Sequence, residues 1–136
     1  MKKWLFLCAG LLACTLSFAQ IKVVYHLTDG VAQAAKAMGN IRNHLNADPN
    51  VKIVVVSHGD GIDFMIDGAQ TPKGVPFAGT ISDLANKGVE FRVCNNTLVA
   101  RNINKDKLVM EAVVVPSGVA EVAKLQANEH YVYLKP

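Results

Sequence analysis

Cysteine and tryptophan are scarce: three cysteines and one tryptophan in 136 residues. Two of the cysteines, Cys8 and Cys14, lie with Trp4 in an apolar N-terminal stretch. Lys2 and Lys3 open that stretch, Trp4 to Leu16 form its apolar run, and Ser17 and Ala19 supply the small residues of a cleavage site. This pattern predicts a signal peptide over residues 1–19 and one domain over 20–136. Leu11-Leu12-Ala13-Cys14 also resembles a lipoprotein cleavage box. Leu12 fits such a box poorly, however, and the tether to the first strand would be only Thr15 to Gln20. With the leader removed, Cys94 is the sole cysteine, which excludes an intramolecular disulfide even in the oxidising compartment that export implies.

Charge of one sign is lacking as well. The 14 basic residues face 11 acidic ones, and Lys2 and Lys3 belong to the leader, so the mature balance is close to neutral. That argues against nucleic acid as a partner, which needs a basic patch, and against a polybasic membrane binder. No second apolar run approaches the ~20 residues of a spanning helix. The expectation is a periplasmic or secreted protein, with no membrane contact after cleavage.

What is present is an alternation of apolar runs with helical patterns, the signature of a parallel α/β sheet. Strands are predicted at 22–27, 51–56, 89–94, 112–115 and 131–134. Val31, Ala34, Met38, Ile41 and Leu45 form one helical stripe, which Thr28 or Asp29 can cap and Asp48-Pro49-Asn50 stops. Segment 62–79 resists assignment. Ile62, Phe64, Met65 and Ile66 suggest a helical turn, and Gly68, Pro72, Gly74, Pro76 and Gly79 suggest a loop. A helix starting at Thr80 or Ser82 carries Ile81, Leu84 and Ala85. Asn95-Asn96-Thr97 starts another, and Ser117 caps one with Val119, Val122 and Leu125 on its apolar face. Glu90 and Arg92, alternating with apolar neighbours, suggest a wet face on the third strand. The fold class is a single three-layer α/β/α domain with a five-stranded, mainly parallel sheet.

In such a sheet ligands bind outside the carboxyl ends of the strands. That edge gathers His26 and Asp29, His58 and Asp60, Cys94 with Asn95 and Asn96, and Ser117. Cys94 carries the most information. It ends a strand just before a helix start, where backbone N–H groups and the helix dipole favour a thiolate. The plain alternative is a packed small hydrophobe. His26 and His58 are candidate proton carriers or structural histidines, whereas His44 and His130 are expected to be exposed and uninvolved. No short-range ligand pair such as CxxC or HxxxH supports a metal. Ser57-His58-Gly59-Asp60-Gly61 lacks phosphate-loop spacing and reads as a tight turn whose glycines let backbone approach a neighbour. Ser117 stands outside any GxSxG elbow.

Several segments together resemble the DsrE/DsrF-like family, in a small exported branch. They are Lys22-Val-Val-Tyr-His-Leu-Thr-Asp-Gly30, Asn40-Ile-Arg-Asn-His-Leu45, Lys52-Ile-Val-Val-Val-Ser-His-Gly59, Gly88-Val-Glu-Phe-Arg-Val-Cys-Asn-Asn-Thr-Leu98, Val115-Pro-Ser-Gly-Val-Ala-Glu121 and Tyr131-Val-Tyr-Leu-Lys-Pro136. The resemblance implies a three-layer fold that commonly assembles as a homo-oligomer; no cofactor is expected. It also implies sulfur carried as a persulfide on a cysteine and passed to or from a partner protein. Cys94 is the residue that matches that role. The competing classes are a non-enzymatic small-ligand module and an oligomeric scaffold. Phe64, Met65, Ile66 and Phe77 add to the expectation of self-association, as apolar groups that a small monomer would leave exposed.

Overall fold

The computed structural model describes residues 19–136. The predicted signal peptide, with Cys8 and Cys14, lies outside the described residues apart from Ala19. Five strands, β1 (Lys22–Leu27), β2 (Lys52–Ser57), β3 (Glu90–Cys94), β4 (Ala112–Val115) and β5 (Val132–Leu134), form one sheet in the order β4-β3-β2-β1-β5. All four pairings are parallel, which sharpens "mainly parallel" to wholly parallel. The β-branched run of β2 occupies the centre of the sheet, where both faces are buried.

Strand alternation divides the core in two. Val23, Tyr25, Leu27, Ile53, Val55, Phe91 and Val93 point to one face. There they meet Ala34, Met38, Ile41 and Leu45 of α1 (Gly30–Ala47) and Phe77, Ile81 and Leu84 of α2 (Phe77–Asn86). Leu98 of the short α3 (Asn95–Ala100) joins the same core. On the other face Val24, Val54 and Val56 pack against Val122 and Leu125 of α4 (Gly118–Glu129) and against Tyr131. The layers are therefore unequal, with one helix covering the second face across β1, β2 and β3.

Several local expectations need correction. Neither Thr28 nor Asp29 caps α1 through its side chain. Gln33 reaches back instead, and its Oε1 accepts the Thr28 and Asp29 N–H groups at 2.8 and 2.9 Å. Helix α2 starts at Phe77, not at Thr80 or Ser82. Pro76 needs no N–H partner at a helix entrance, and Phe77 is pulled in by burial against Phe64, ring centroids 5.7 Å apart. Segment 59–65 is a 3-10 helix, and its Phe64 and Met65, like Phe77, are fully buried within one chain. These residues thus give no reason for self-association. On α4, Val119 is 62% exposed; the buried stripe is Gly118, Val122 and Leu125, and position 119 lies about 100° round the helix from it. His44 is half-buried, its Nδ1 3.0 Å from the Tyr25 hydroxyl. The expected wet face of β3 is largely covered, because Arg92 lies under α4 between Glu90 and Glu121.

Candidate functional site

Neighbouring strands β3 and β4 send the chain to opposite faces of the sheet. After β3, α3 packs Leu98 into the first core; after β4, α4 crosses the second. The carboxyl ends of such a pair open a crevice, the usual ligand position in an open α/β sheet. Cys94, the last residue of β3, stands at that point and pairs with Val115, the last residue of β4.

Two helix starts converge on Cys94. It is the N-cap residue of α3, in extended conformation at φ −69° and ψ 116°. Its side chain forms no capping hydrogen bond. Burial pushes its pKa up, yet the Gly118 N–H, the Thr97 hydroxyl and the Thr97 and Asn96 N–H groups outweigh burial, and the net shift is downward. Donors aimed at the charged form are what acidify a thiol. Thr97 is itself held in place: its Oγ1 accepts the Gly59 N–H at 3.0 Å. Gly59 turns that N–H toward Thr97 from a left-handed conformation, φ +58°, that favours glycine.

The α4 start comes this close because residue 118 has no side chain. A Cβ there would lie 3.1 Å from His58 Cβ and 3.2 Å from Cys94 Cβ. Gly118→Ala is therefore expected to push α4 away from the sulfur. The strain should cost about 1–3 kcal/mol, offset in part by the ~0.5–1 kcal/mol that alanine gains over glycine in a helix. Urea unfolding would show the lowered midpoint, and thiol alkylation would show a less acidic Cys94.

His58 thus borders the same glycine as Cys94. Its ring lies 4.8 Å from that of His26, tilted by 38°. His26 Nδ1 is 2.9 Å from the Tyr133 hydroxyl, and its Nε2 is buried without a partner. Burial lowers the His26 pKa, His58 and Lys135 lower it further, and Asp29 pulls weakly the other way. The net shift is downward, which favours the neutral imidazole. The row Cys94, Gly118, His58, His26, Tyr133 follows the carboxyl edge from β3 to β5.

The remaining predicted residues are less tightly gathered. Asn96 offers its N–H to the sulfur and to the Pro116 carbonyl at 3.3 Å, with its side chain exposed. Ser117 caps α4, its Oγ accepting the Ala120 N–H at 3.4 Å. Asn95 points instead into a separate cleft of about 670 Å³ with Leu98, Asn102, Asn104 and Lys105. Asp29 pairs with Lys135 at 3.8 Å. Asp60 is exposed, 3.9 Å from Arg101. Arg101 sits closer to Asp63, at 2.7 Å but without hydrogen-bond alignment to Oδ1, and donates to the Gly59 carbonyl at 3.1 Å. Among the described residues no three His, Cys, Asp or Glu side chains are placed to hold a metal ion, and no helix is long and apolar enough to cross a membrane. Thr97, Gly118 and Tyr133 were not among the sequence candidates. Thr97 stood in the recognised helix-start cluster, but nothing in the pattern marked the other two.

The sequence model of the DsrE/DsrF-like family matches residues 18–136. No curated protein matches the chain. Among solved structures, a protein of unknown function from Methanobacterium thermoautotrophicum, MTH1491, superposes with a TM-score of 0.76 at 29% identity, over 86% of this chain and 100% of its own. The ychN protein of E. coli superposes with a TM-score of 0.69 at 13% identity, over 87% of this chain and 100% of its own. At that identity the second likeness speaks for the fold alone.

Proposed function

The chain belongs to the DsrE/DsrF-like family, and on that premise we propose that it is an exported sulfur-handling protein with Cys94 as persulfide carrier or redox-reactive thiol. The observation that carries the reading is the position of Cys94, N-cap of α3 with the Gly118 start of α4 packed against its Cβ, where the surrounding donors shift the thiol pKa downward. In loading, the Cys94 thiolate attacks the outer sulfur of a donor persulfide. A new S–S bond forms on Cys94, the donor S–S bond breaks, and the donor departs as a thiolate that takes up a proton. No net oxidation occurs. In unloading, an acceptor thiolate attacks the outer sulfur, and Cys94 leaves as a thiolate held by the same N–H groups. Acidity speeds this second step, since a leaving thiol of lower pKa departs faster. His58, with His26 behind it, is the candidate to supply and remove the proton.

Export to the periplasm or beyond is supported by the leader 1–19, with the mature protein starting at Gln20. A homo-oligomer is supported by two exposed apolar side chains, Val113 on the edge strand β4 and Val119 on α4. A protein donor or acceptor of sulfur completes the reading. One observation favours the competing binding-module reading: Cys94 is only 5% exposed, and the large cleft beside Asn95 does not include it. Intact-mass analysis of the exported protein, with and without a polysulfide donor and then a reductant, separates the two. The expected result is a chain starting at Gln20 that gains sulfur and loses it on reduction, with light scattering of the same sample giving a multiple of that mass. No reducible sulfur adduct would favour the binding module, and a diacylated Cys14 at the N-terminus would overturn the cleavage site.

A further inference from the structure

The two helix starts at Cys94 are held by different means. Helix α3 follows Cys94 directly in the chain, so its N–H groups cannot move far from the sulfur. Helix α4 arrives from β4 and is not joined to Cys94 in sequence; its Gly118 is held against the Cys94 and His58 Cβ atoms by packing. A polar link lies next to that contact. Arg92, two residues before Cys94 on the same face of β3, donates from Nη1 to Oε1 of Glu121 in the first turn of α4. Its Nη2 lies 2.6 Å from Glu90 Oε2. The Arg92 and Glu121 side chains are only 17% and 12% exposed, so solvent screens the pair far less than an ordinary surface pair.

We propose that Arg92 and Glu121 form a clamp that holds the first turn of α4 over the Cys94 sulfur, making both of them positioning residues for its chemistry. This rests on the sulfur-carrier reading and adds the part that keeps α4 seated against Cys94. Four charged or titratable groups lie on the elements that pack around Cys94: Arg92 and Glu90 on β3, Glu121 on α4, and His58 after β2. Field and position therefore make opposite forecasts for Glu121. Considered as a charge alone, Glu121 is an anion near a thiolate, and its removal would make the thiol more acidic. Considered as a clamp, its removal lets Gly118 move off and makes the thiol less acidic.

The test is Glu121→Ala, with Glu121→Gln as the conservative variant that keeps an acceptor for Arg92. Arg92 retains Glu90 in both, so no buried charge is stranded. The rate of Cys94 alkylation against pH is read for wild type and variants, with amide exchange at residues 120–122. The clamp predicts a higher alkylation midpoint in Glu121→Ala, at least about a threefold slower rate at a pH below the midpoint, which is half a pKa unit. Loss of a charge-assisted hydrogen bond also predicts amide exchange in the first turn faster by about tenfold, with Leu125 unchanged and Glu121→Gln near wild type. An unmoved or lowered midpoint in Glu121→Ala, or unchanged exchange, overturns the clamp. The wild-type midpoint tests the sulfur-carrier reading, whereas the displacement between variant and wild type tests the clamp, so the two fail separately.

Discussion

Cys94→Ser is expected to leave the domain folded and to remove all sulfur loading and all alkylation under native conditions. The fold survives because the change is one atom at a strand end. A serine hydroxyl accepts the N–H groups that now face the sulfur, as serine does at helix starts generally, and the stability loss at neutral pH or below should stay within about 1 kcal/mol. Chemistry is lost because an alcohol is not ionised at neutral pH and cannot carry sulfane sulfur. The pH dependence provides a control. A thiol whose folded pKa is depressed stabilises the fold above its unfolded value of ~8.5, and that stability is lost as pH falls through the folded value. Wild type should therefore gain on Cys94→Ser between those two values and keep a constant lead above them. Thr97→Val, which removes the hydroxyl, should shrink that lead and raise the alkylation midpoint. Urea unfolding across pH and mass spectra after a sulfane donor give the readouts. If the lead is flat with pH and wild type alkylates only when denatured, Cys94 is a packed thiol and the binding-module reading takes its place.

Strand positions and the placement of Cys94 were legible because both depend on local pattern. A β-branched run such as Val54-Val55-Val56 and a five-residue stripe on α1 leave few alternatives. What the sequence hid was set by tertiary packing. The start of α2 follows from where Phe77 finds its pocket against Phe64, not from the capping residues Thr80 and Ser82. Arg92 looked like a solvent-facing residue because alternation cannot reveal that α4 crosses above it. Tyr133 and His26 meet only because β5 adds beside β1, an order that no strand pattern encodes. Gly118 is the sharpest case. In sequence it is a poor first helical residue, and only the crossing of α4 over β3 explains why a larger one would not fit.

Gly61→Ala should be the most damaging single change outside the chemistry. Gly61 lies in the 3-10 helix after β2, and that helix is pressed onto the end of β1. A Cβ at 61 would stand 2.2 Å from the Leu27 carbonyl oxygen, 2.4 Å from its carbon and 2.6 Å from the Thr28 nitrogen. These are backbone atoms, so no rotamer change relieves the clash. The Leu27 carbonyl also accepts the His58 N–H at 3.1 Å. Relief must therefore come from separating β1 from the 59–65 segment, which unseats Ile62, Phe64 and Met65 from the core. The cost should exceed the ordinary ~1–3 kcal/mol of overpacking, a large part of the ~5–15 kcal/mol that holds a typical domain together. Because His58 and Gly59 belong to the same turn, the Thr97 contact and the His26–His58 stacking should go with it. Gly39→Ala is the matched control. Gly39 lies inside α1 with nothing within 4 Å of its would-be Cβ, and that exchange should stabilise by about 0.5–1 kcal/mol. Thermal unfolding of the two variants should thus move in opposite directions, and a Gly61→Ala protein as stable as wild type would mean that the turn does not pack on β1 as described.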